Sequence, residues 1–273
     1  MFDDITKVVL LSDMDGTLLT ADKRITDADR QAISRFTELG GRFTVATGRT
    51  VQSFEQYRAM IRLDWPVVMY NGAAIHDYSE GRTLYTQPLP EEAKAITSRI
   101  MELMPDLGGE VLRAEGTYVF SDTPYEQLHT KLCNIVPKYM DLDQIPEGGW
   151  LKVLFSMPPE DVPHLQRLVD QMELDTVSFV KSAEIFLEMM PLGVSKGSAL
   201  RQFRKLPGWE DRSFAAIGDF DNDIEMIRAA DLGACPANAE ESVKAAADLV
   251  LTRTNEEGAV AELIGHIFER CGV

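Results

Sequence analysis

The chain has 273 residues, 45% hydrophobic and 26% charged, enough for one large domain or two of ordinary size around a real core. A formal net charge of −17 and a pI near 4.6 argue against a nucleic-acid partner, because such binding depends on Lys and Arg displacing counterions. No apolar run approaches the roughly 18 residues that span a bilayer, the opening MFDDITK lacks the basic region of a leader, and Cys133, Cys235 and Cys271 fit neither a disulfide framework nor a paired zinc spacing, so a soluble, unprocessed protein of the reducing cytoplasm is expected.

Lys7 to Ser12 is a run of apolar β-formers that stops at two acids and a Gly, and reads as a buried strand with those acids at its carboxyl end. A helix is expected from about Thr26, its N-cap, with Ile33, Phe36 and Leu39 on one face and Gly40-Gly41 as the stop. Arg42 to Ala46 reads as the next strand, about Thr50 to Leu63 as a helix, and Pro66 to Tyr70 as a third strand closing on Asn71-Gly72. The alternation returns near the other end. Phe214 to Ile217 leads into Gly218-Asp219 and a helix holding Ile224, Met226 and Ile227, and short strands follow at Leu232 to Ala234 and Leu249 to Leu251. From Glu256 onward, Val260, Leu263, Ile264 and Ile267 form an apolar stripe that suits a helix covering the sheet. Strand and helix alternation of this kind implies a doubly wound parallel sheet in the α/β class. Between Gly81 and Pro191 the pattern loosens into turn-rich joints and strand-like runs at Tyr118 to Phe120, Leu151 to Phe155, Thr176 to Val180 and Ile185 to Leu187. Residues 1–80 and 191–273 are expected to form a catalytic core, and residues 81–190 an inserted α/β cap domain.

Asp13-Met14-Asp15-Gly16-Thr17 puts two carboxylates in a loop at the carboxyl edge of a parallel sheet, where open α/β sheets bind ligands. Like charges this close call for a cation or a shared proton, and either suits phosphoryl chemistry; an Asp-rich turn is the plain alternative. Thr47 offers a hydroxyl backed by the Gly48 and Arg49 amides, or else caps a helix. Gly218-Asp219-Phe220-Asp221-Asn222-Asp223 brings further acids to a strand end, and could equally be a capped helix start. Lys196 opens a helix, a poor place for a cation on dipole grounds unless it has a task; otherwise it is a solvated surface residue.

The ordered set Asp13-Met14-Asp15-Gly16-Thr17, Thr47-Gly48-Arg49, Lys196-Gly197 and Gly218 to Asp223 resembles the haloacid dehalogenase superfamily, and most of all its Cof-type phosphatases. Asn71-Gly72-Ala73 and the long insert are similar to that subgroup too. The resemblance implies a Rossmann-like core with a large α/β cap and a phosphatase of small soluble phosphate esters. It makes Asp13 the nucleophile and Asp15 the acid and base; Mg²⁺ is held by Asp13, the Asp15 carbonyl and Asp219. Thr47, Gly48 and Lys196 then bind the phosphate, Asn222 supports the phosphate or Lys196, and Asp223 stands one layer behind. The insert is expected to act as a hinged lid that reads the leaving group. The chain is expected to be a monomer or homodimer, with no membrane or nucleic-acid partner.

A phosphomutase of the same superfamily is the nearest alternative, separated by release of free phosphate. A receiver-type signalling protein also combines acids, Thr and Lys, but needs only about 120 residues and no insert. A catalytically dead binding protein is disfavoured by the complete set of acids, Thr and Lys. His76, His129, His164 and His266 are scattered and read as surface or structural residues, and the methionines as core filling. Arg49, Asn71, Arg113 and Lys152 are further candidates for substrate contact among which the sequence does not choose.

Overall fold

A computed structural model describes residues 2–58, 60, 61, 63 and 65–273. By its contacts the chain forms two compact units: Met1–Thr47, Tyr57–Leu84 and Ser195–Val273 make one, and Gly48–Gln56 with Tyr85–Val194 the other.

The first unit is built on a five-stranded parallel sheet in the order Leu249–Val250, Leu232–Cys235, Ser213–Ile217, Val8–Ser12, Arg42–Val45. Val8–Ser12 lies at its centre and every one of its residues is buried, which is why its sequence is an unbroken apolar run rather than an alternation. Ser12 sits in register with Val45 on one side and Ile217 on the other. The chain leaves this strand for one neighbour and later returns to the other, so the carboxyl end of Val8–Ser12 is the switch point where a crevice opens.

Helix Asp27–Glu38 starts where Thr26 accepts a hydrogen bond from the Asp29 amide, and it buries Ile33 and Phe36. It packs against the last helix, Ala259–Cys271, whose Val260, Leu263, Ile264 and Ile267 are all buried. Asp29 ties the two together, accepting from the Thr26 hydroxyl at 2.8 Å and the Ala261 amide at 2.7 Å. Truncating fully buried Phe36 to Ala would cost about 3–5 kcal/mol. A small sheet of Val67–Met69, Ala74–Asp77 and Arg82–Thr86 extends the core through a bridge from Ala46 to Val68. The helix expected from Thr50 to Leu63 runs from Val51 to Arg58, with Met60 in a turn; Ala59 and Arg62 fall outside the described residues.

The second unit carries a six-stranded mixed sheet in the order Val177–Ala183, Phe186–Pro191, Trp150–Ser156, Gly108–Arg113, Gly116–Ser121, Lys138–Tyr139. All neighbours are antiparallel except the last pair. Helices Ala93–Leu103 and Val162–Gln171 contribute Ile96, Ile100, Leu165 and Val169 to its core, against Val111, Trp150, Val153 and Phe155. Residues 48–56 belong here through three bonds: Lys152 Nζ to the Gly48 carbonyl at 3.0 Å, Gln52 Nε2 to the Ala114 carbonyl at 2.9 Å, and Gln56 Nε2 to the Cys133 carbonyl at 3.3 Å. A parallel-sheet core with helices and a separate mixed sheet makes this an α/β protein. No helix among the described residues is long and apolar enough to cross a membrane.

Candidate active site

Asp13 is the first residue past Val8–Ser12, and its amide donates to the Ile217 carbonyl at 2.9 Å, so the ladder holds its backbone one residue beyond the strand. Lys196 reaches it from the start of helix Lys196–Phe203, whose cap is formed by Ser195 and Ser198 bonding each other's amides. Its Nζ donates to Asp13 Oδ1 at 2.5 Å and to Asp223 Oδ1 at 2.6 Å. Only 1% of Lys196 is exposed, which removes the surface reading. Burial alone would lower this lysine, but Asp13 and Asp223 outweigh it and hold the ammonium protonated, above its ordinary range.

Gly72 makes that approach possible. It has φ +106, and a Cβ there would lie 2.1 Å from the Ser195 carbonyl oxygen, so only glycine lets the Ser195-Lys196 backbone come this close. Tyr70 and Asn71 just before it also have positive φ, a run of costly backbone at the end of Val67–Met69.

Asp219 follows Ser213–Ile217 and accepts from the Thr17 hydroxyl at 2.5 Å on Oδ1. Gly16, φ +88, is the matching close approach: a Cβ would sit 2.3 Å from Asp219 Oδ2. Burial pushes the Asp219 carboxyl up to about 7, and repulsion from Asp223 adds to it. Burial pushes Asp13 up as well, against the pull of Lys196. Asp223 Oδ2 accepts from the amides of Asp219 at 3.0 Å and Phe220 at 3.2 Å, so both of its oxygens have partners.

The carboxylates of Asp13, Asp219 and Asp223 come within 4.8 Å of one another and could hold a metal ion. Three carboxylates against one ammonium leave two negative charges uncompensated, the deficit that one divalent cation fills. With Asp223 engaged on both oxygens, the second oxygens of Asp13 and Asp219 are the natural donors. A donor set of oxygens alone suits a hard ion.

Asp15 is exposed, with Oδ1 2.6 Å from Lys23 Nζ. Thr47 is buried; its amide donates to the Val68 carbonyl at 2.9 Å and its carbonyl accepts from Asn71 at 3.0 Å. It is not the helix cap, since Thr50 and Ser53 bond each other's amides at 3.0 and 2.9 Å and fill that role. Asn222 donates to Asn71 Oδ1 at 3.1 Å, and Asp223 accepts from Lys196 at 2.6 Å. Gly48 meets Lys152, which is buried and paired with Glu188 at 2.8 Å, and Arg113 pairs with Glu115 and the Pro146 carbonyl. The structure therefore joins Asp13, Lys196, Asp219 and Asp223 in one cluster, while Asp15, Gly48 and Asn222 have separate partners.

Sequence reasoning gave no role to Thr17, although it stands in the first motif. It also passed over Asn238, whose amide holds the Gly16 carbonyl at 2.8 Å and carries no local signal. In the second unit it set His129 aside, yet Glu110, Glu126 and His129 meet in a buried group.

The family model of haloacid dehalogenase-like hydrolases matches residues 10–264. The 5-amino-6-(5-phospho-D-ribitylamino)uracil phosphatase YcsE of Bacillus subtilis is 28% identical over 97% of this chain and 97% of its own. The HMP-PP phosphatase of Klebsiella pneumoniae is 30% identical over 85% of each chain. A haloacid dehalogenase-like hydrolase from Bacteroides thetaiotaomicron has the same fold, with a TM-score of 0.80 at 26% identity over 95% of this chain and 99% of that one. Motifs, fold and relatives agree over nearly the full length, and the chain belongs to the haloacid dehalogenase-like hydrolases and, within them, to the Cof-type phosphatases.

Proposed function

We propose that the protein is a Mg²⁺-dependent hydrolase of small phosphorylated metabolites, sugar phosphates or esters of similar size, that works through an aspartyl phosphate on Asp13. The observation that carries this reading is the meeting of Asp13, Lys196 and Asp219 at the carboxyl edge of the sheet, with a charge deficit of two. Phosphoryl transfer needs in-line positioning and charge neutralisation more than elaborate covalent chemistry, and the charges gathered in this cluster support that reading.

An Asp13 carboxylate oxygen attacks phosphorus while the ester P–O bond breaks, and Asp15 gives its proton to the leaving alkoxide. Water then attacks the phosphorus of the aspartyl phosphate as Asp15 takes its proton, the Asp13–phosphorus bond breaks, and phosphate leaves. Lys196 balances the anionic oxygens in both steps, and the Thr47 hydroxyl and Gly48 amide donate to the phosphate. Asp223 keeps Lys196 aimed, and Asn222 fixes the Asn71 turn. Mg²⁺, held by Asp13, Asp219 and the Asp15 carbonyl, would neutralise charge on the transferring group.

For this to happen Asp15 must part from Lys23, an exchange that costs little because the pair is more than a third exposed. The residues of the insert, which carry none of the acidic motifs, are proposed to set the choice among esters. Two relatives bear names of phosphatases of small soluble esters, which supports the substrate class.

The test is a panel of phosphorylated metabolites, with acetyl phosphate and a phosphopeptide, assayed for free phosphate with and without Mg²⁺. Mg²⁺-dependent release from one group of small esters is expected. Full activity after exhaustive chelation, or preference for the phosphopeptide, would refute the reading.

A further inference from the structure

The second unit contains a polar cluster that the phosphatase chemistry does not use. Glu110 lies on Gly108–Arg113, and Glu126 and His129 lie one turn apart on helix Pro124–Leu132, which packs over that strand. Glu110 and Glu126 are completely buried and His129 is 8% exposed. His129 Nδ1 stands 3.2 Å from Glu110 Oε1 and 3.8 Å from Glu126 Oε1. The three residues offer donor atoms within 4.8 Å of one another.

Burial this deep normally comes with a full set of hydrogen bonds, because each unsatisfied group costs about 1–3 kcal/mol. Here both oxygens of Glu110, Oε1 of Glu126 and Nδ1 of His129 are buried and have no hydrogen-bond partner among the described residues beyond one another. Glu126 Oε2 accepts from the Ser156 hydroxyl at 2.8 Å, and the His129 ring packs edge-on with Phe186 at 4.9 Å between centroids. The Ser156 bond thus fixes the Glu126 carboxylate and leaves its Oε1 to the trio.

We propose that Glu110, Glu126 and His129 hold a divalent transition-metal ion, of which zinc is the best chemical match, as a structural site inside the insert. Donor atoms around four-coordinate zinc, with bonds of about 2.0–2.2 Å, are separated by about 3.4 Å, close to the spacings of the trio. One imidazole and two carboxylates favour zinc over magnesium or calcium, which prefer oxygen alone. The charge closes too, since two carboxylates and a neutral imidazole around a divalent ion leave no net charge in a buried place. The second Glu110 oxygen is available as a fourth donor.

The test uses the full chain carrying Asp219→Asn, which weakens the aspartate cluster of the active site, stripped with chelator and titrated with zinc chloride. About one equivalent should bind, its X-ray absorption spectrum should show imidazole scattering, and the thermal midpoint should rise. Adding Glu110→Gln should weaken zinc binding by about 100-fold or more and remove the thermal response. His129→Ala should erase the imidazole signature. Zinc uptake unchanged by Glu110→Gln, or no uptake at micromolar concentration, overturns the site and leaves the trio as a proton-bridged ion cluster. Should the variants fail to fold, the spectrum of the Asp219→Asn protein decides alone: zinc bound without imidazole also overturns it.

Discussion

Lys196 and Asp13, 183 residues apart in the chain, form a buried ion pair with Nζ 2.5 Å from Oδ1. The same ammonium holds Asp223, so a single cation is shared by two buried carboxylates. A site arranged this way ties folding stability to chemistry.

Lys196→Met should therefore damage both. Removing one member of a buried ionic set leaves its partners uncompensated and costs about 3–5 kcal/mol. Urea unfolding measures that loss, and kcat/KM for the best ester should fall at least about 100-fold, as for removal of a preorganised electrostatic donor. Stability within about 1 kcal/mol of the parent would show that the pair is not formed in solution.

Asp13→Asn should separate the two properties. Lys196 keeps Asp223, and the repulsion of Asp13 with Asp219 and Asp223 disappears, so the fold should be as stable as the parent or more so. Turnover should drop by at least about 10⁴-fold. Acid-quenched labelling with radioactive substrate should trap a phosphoenzyme in the parent and none in the variant. Normal trapping in Asp13→Asn would move the nucleophile elsewhere.

The acidity of Asp219 predicts a pH dependence with a definite sign. In the metal-free protein burial raises this carboxyl from 3.8 to about 7, so the folded state keeps a proton that the unfolded chain has already lost. Stability of the metal-free protein should thus fall as pH rises from about 4 to about 7 and level off above. Mg²⁺ needs the ionised form, so its binding should release close to one proton from Asp219 below about pH 7 and progressively fewer above. Calorimetry in two buffers of different ionisation enthalpy counts those protons. A count that stays constant from pH 6 to 8 would contradict the assignment.

Much of this site was readable because its residues come with local signals. Asp13 and Asp15 follow an apolar run that can only be a buried strand, and Thr26 and the stripe Val260, Leu263, Ile264, Ile267 announce helices that the structure contains. Lys196 was harder: its neighbours Ser195 and Gly197 describe a helix start, while its burial is imposed by Asp13 and Asp223 from distant segments. That Asp223 bonds Lys196 follows from the turn Asp221–Asp223, which buries the side chain of its last residue and leaves no mark in the sequence. The trio Glu110, Glu126 and His129 left no spacing motif, since stacking a helix on a strand brings them together.

Lys152 gives a further test in the second unit. Lys152→Met should destabilise by about 3–5 kcal/mol, because Glu188, 3% exposed, would lose the ammonium it is paired with at 2.8 Å. Adding Glu188→Leu should recover most of that, less about 1 kcal/mol for the bond to the Gly48 carbonyl. If the double variant is no better than Lys152→Met, the pair was not the cause.

The attachment of residues 48–56 to the second unit bears on attempts to build hybrids. Exchanging only Tyr85–Val194 for the corresponding stretch of a relative would strip Gly48, Gln52 and Gln56 of Lys152, Ala114 and Cys133, three bonds that fasten a distant nine-residue segment to the insert. A transplant that carries residues 48–56 along with their own insert keeps those bonds intact. By its contacts the unit to exchange is discontinuous, taking in residues 48–56 as well as Tyr85–Val194.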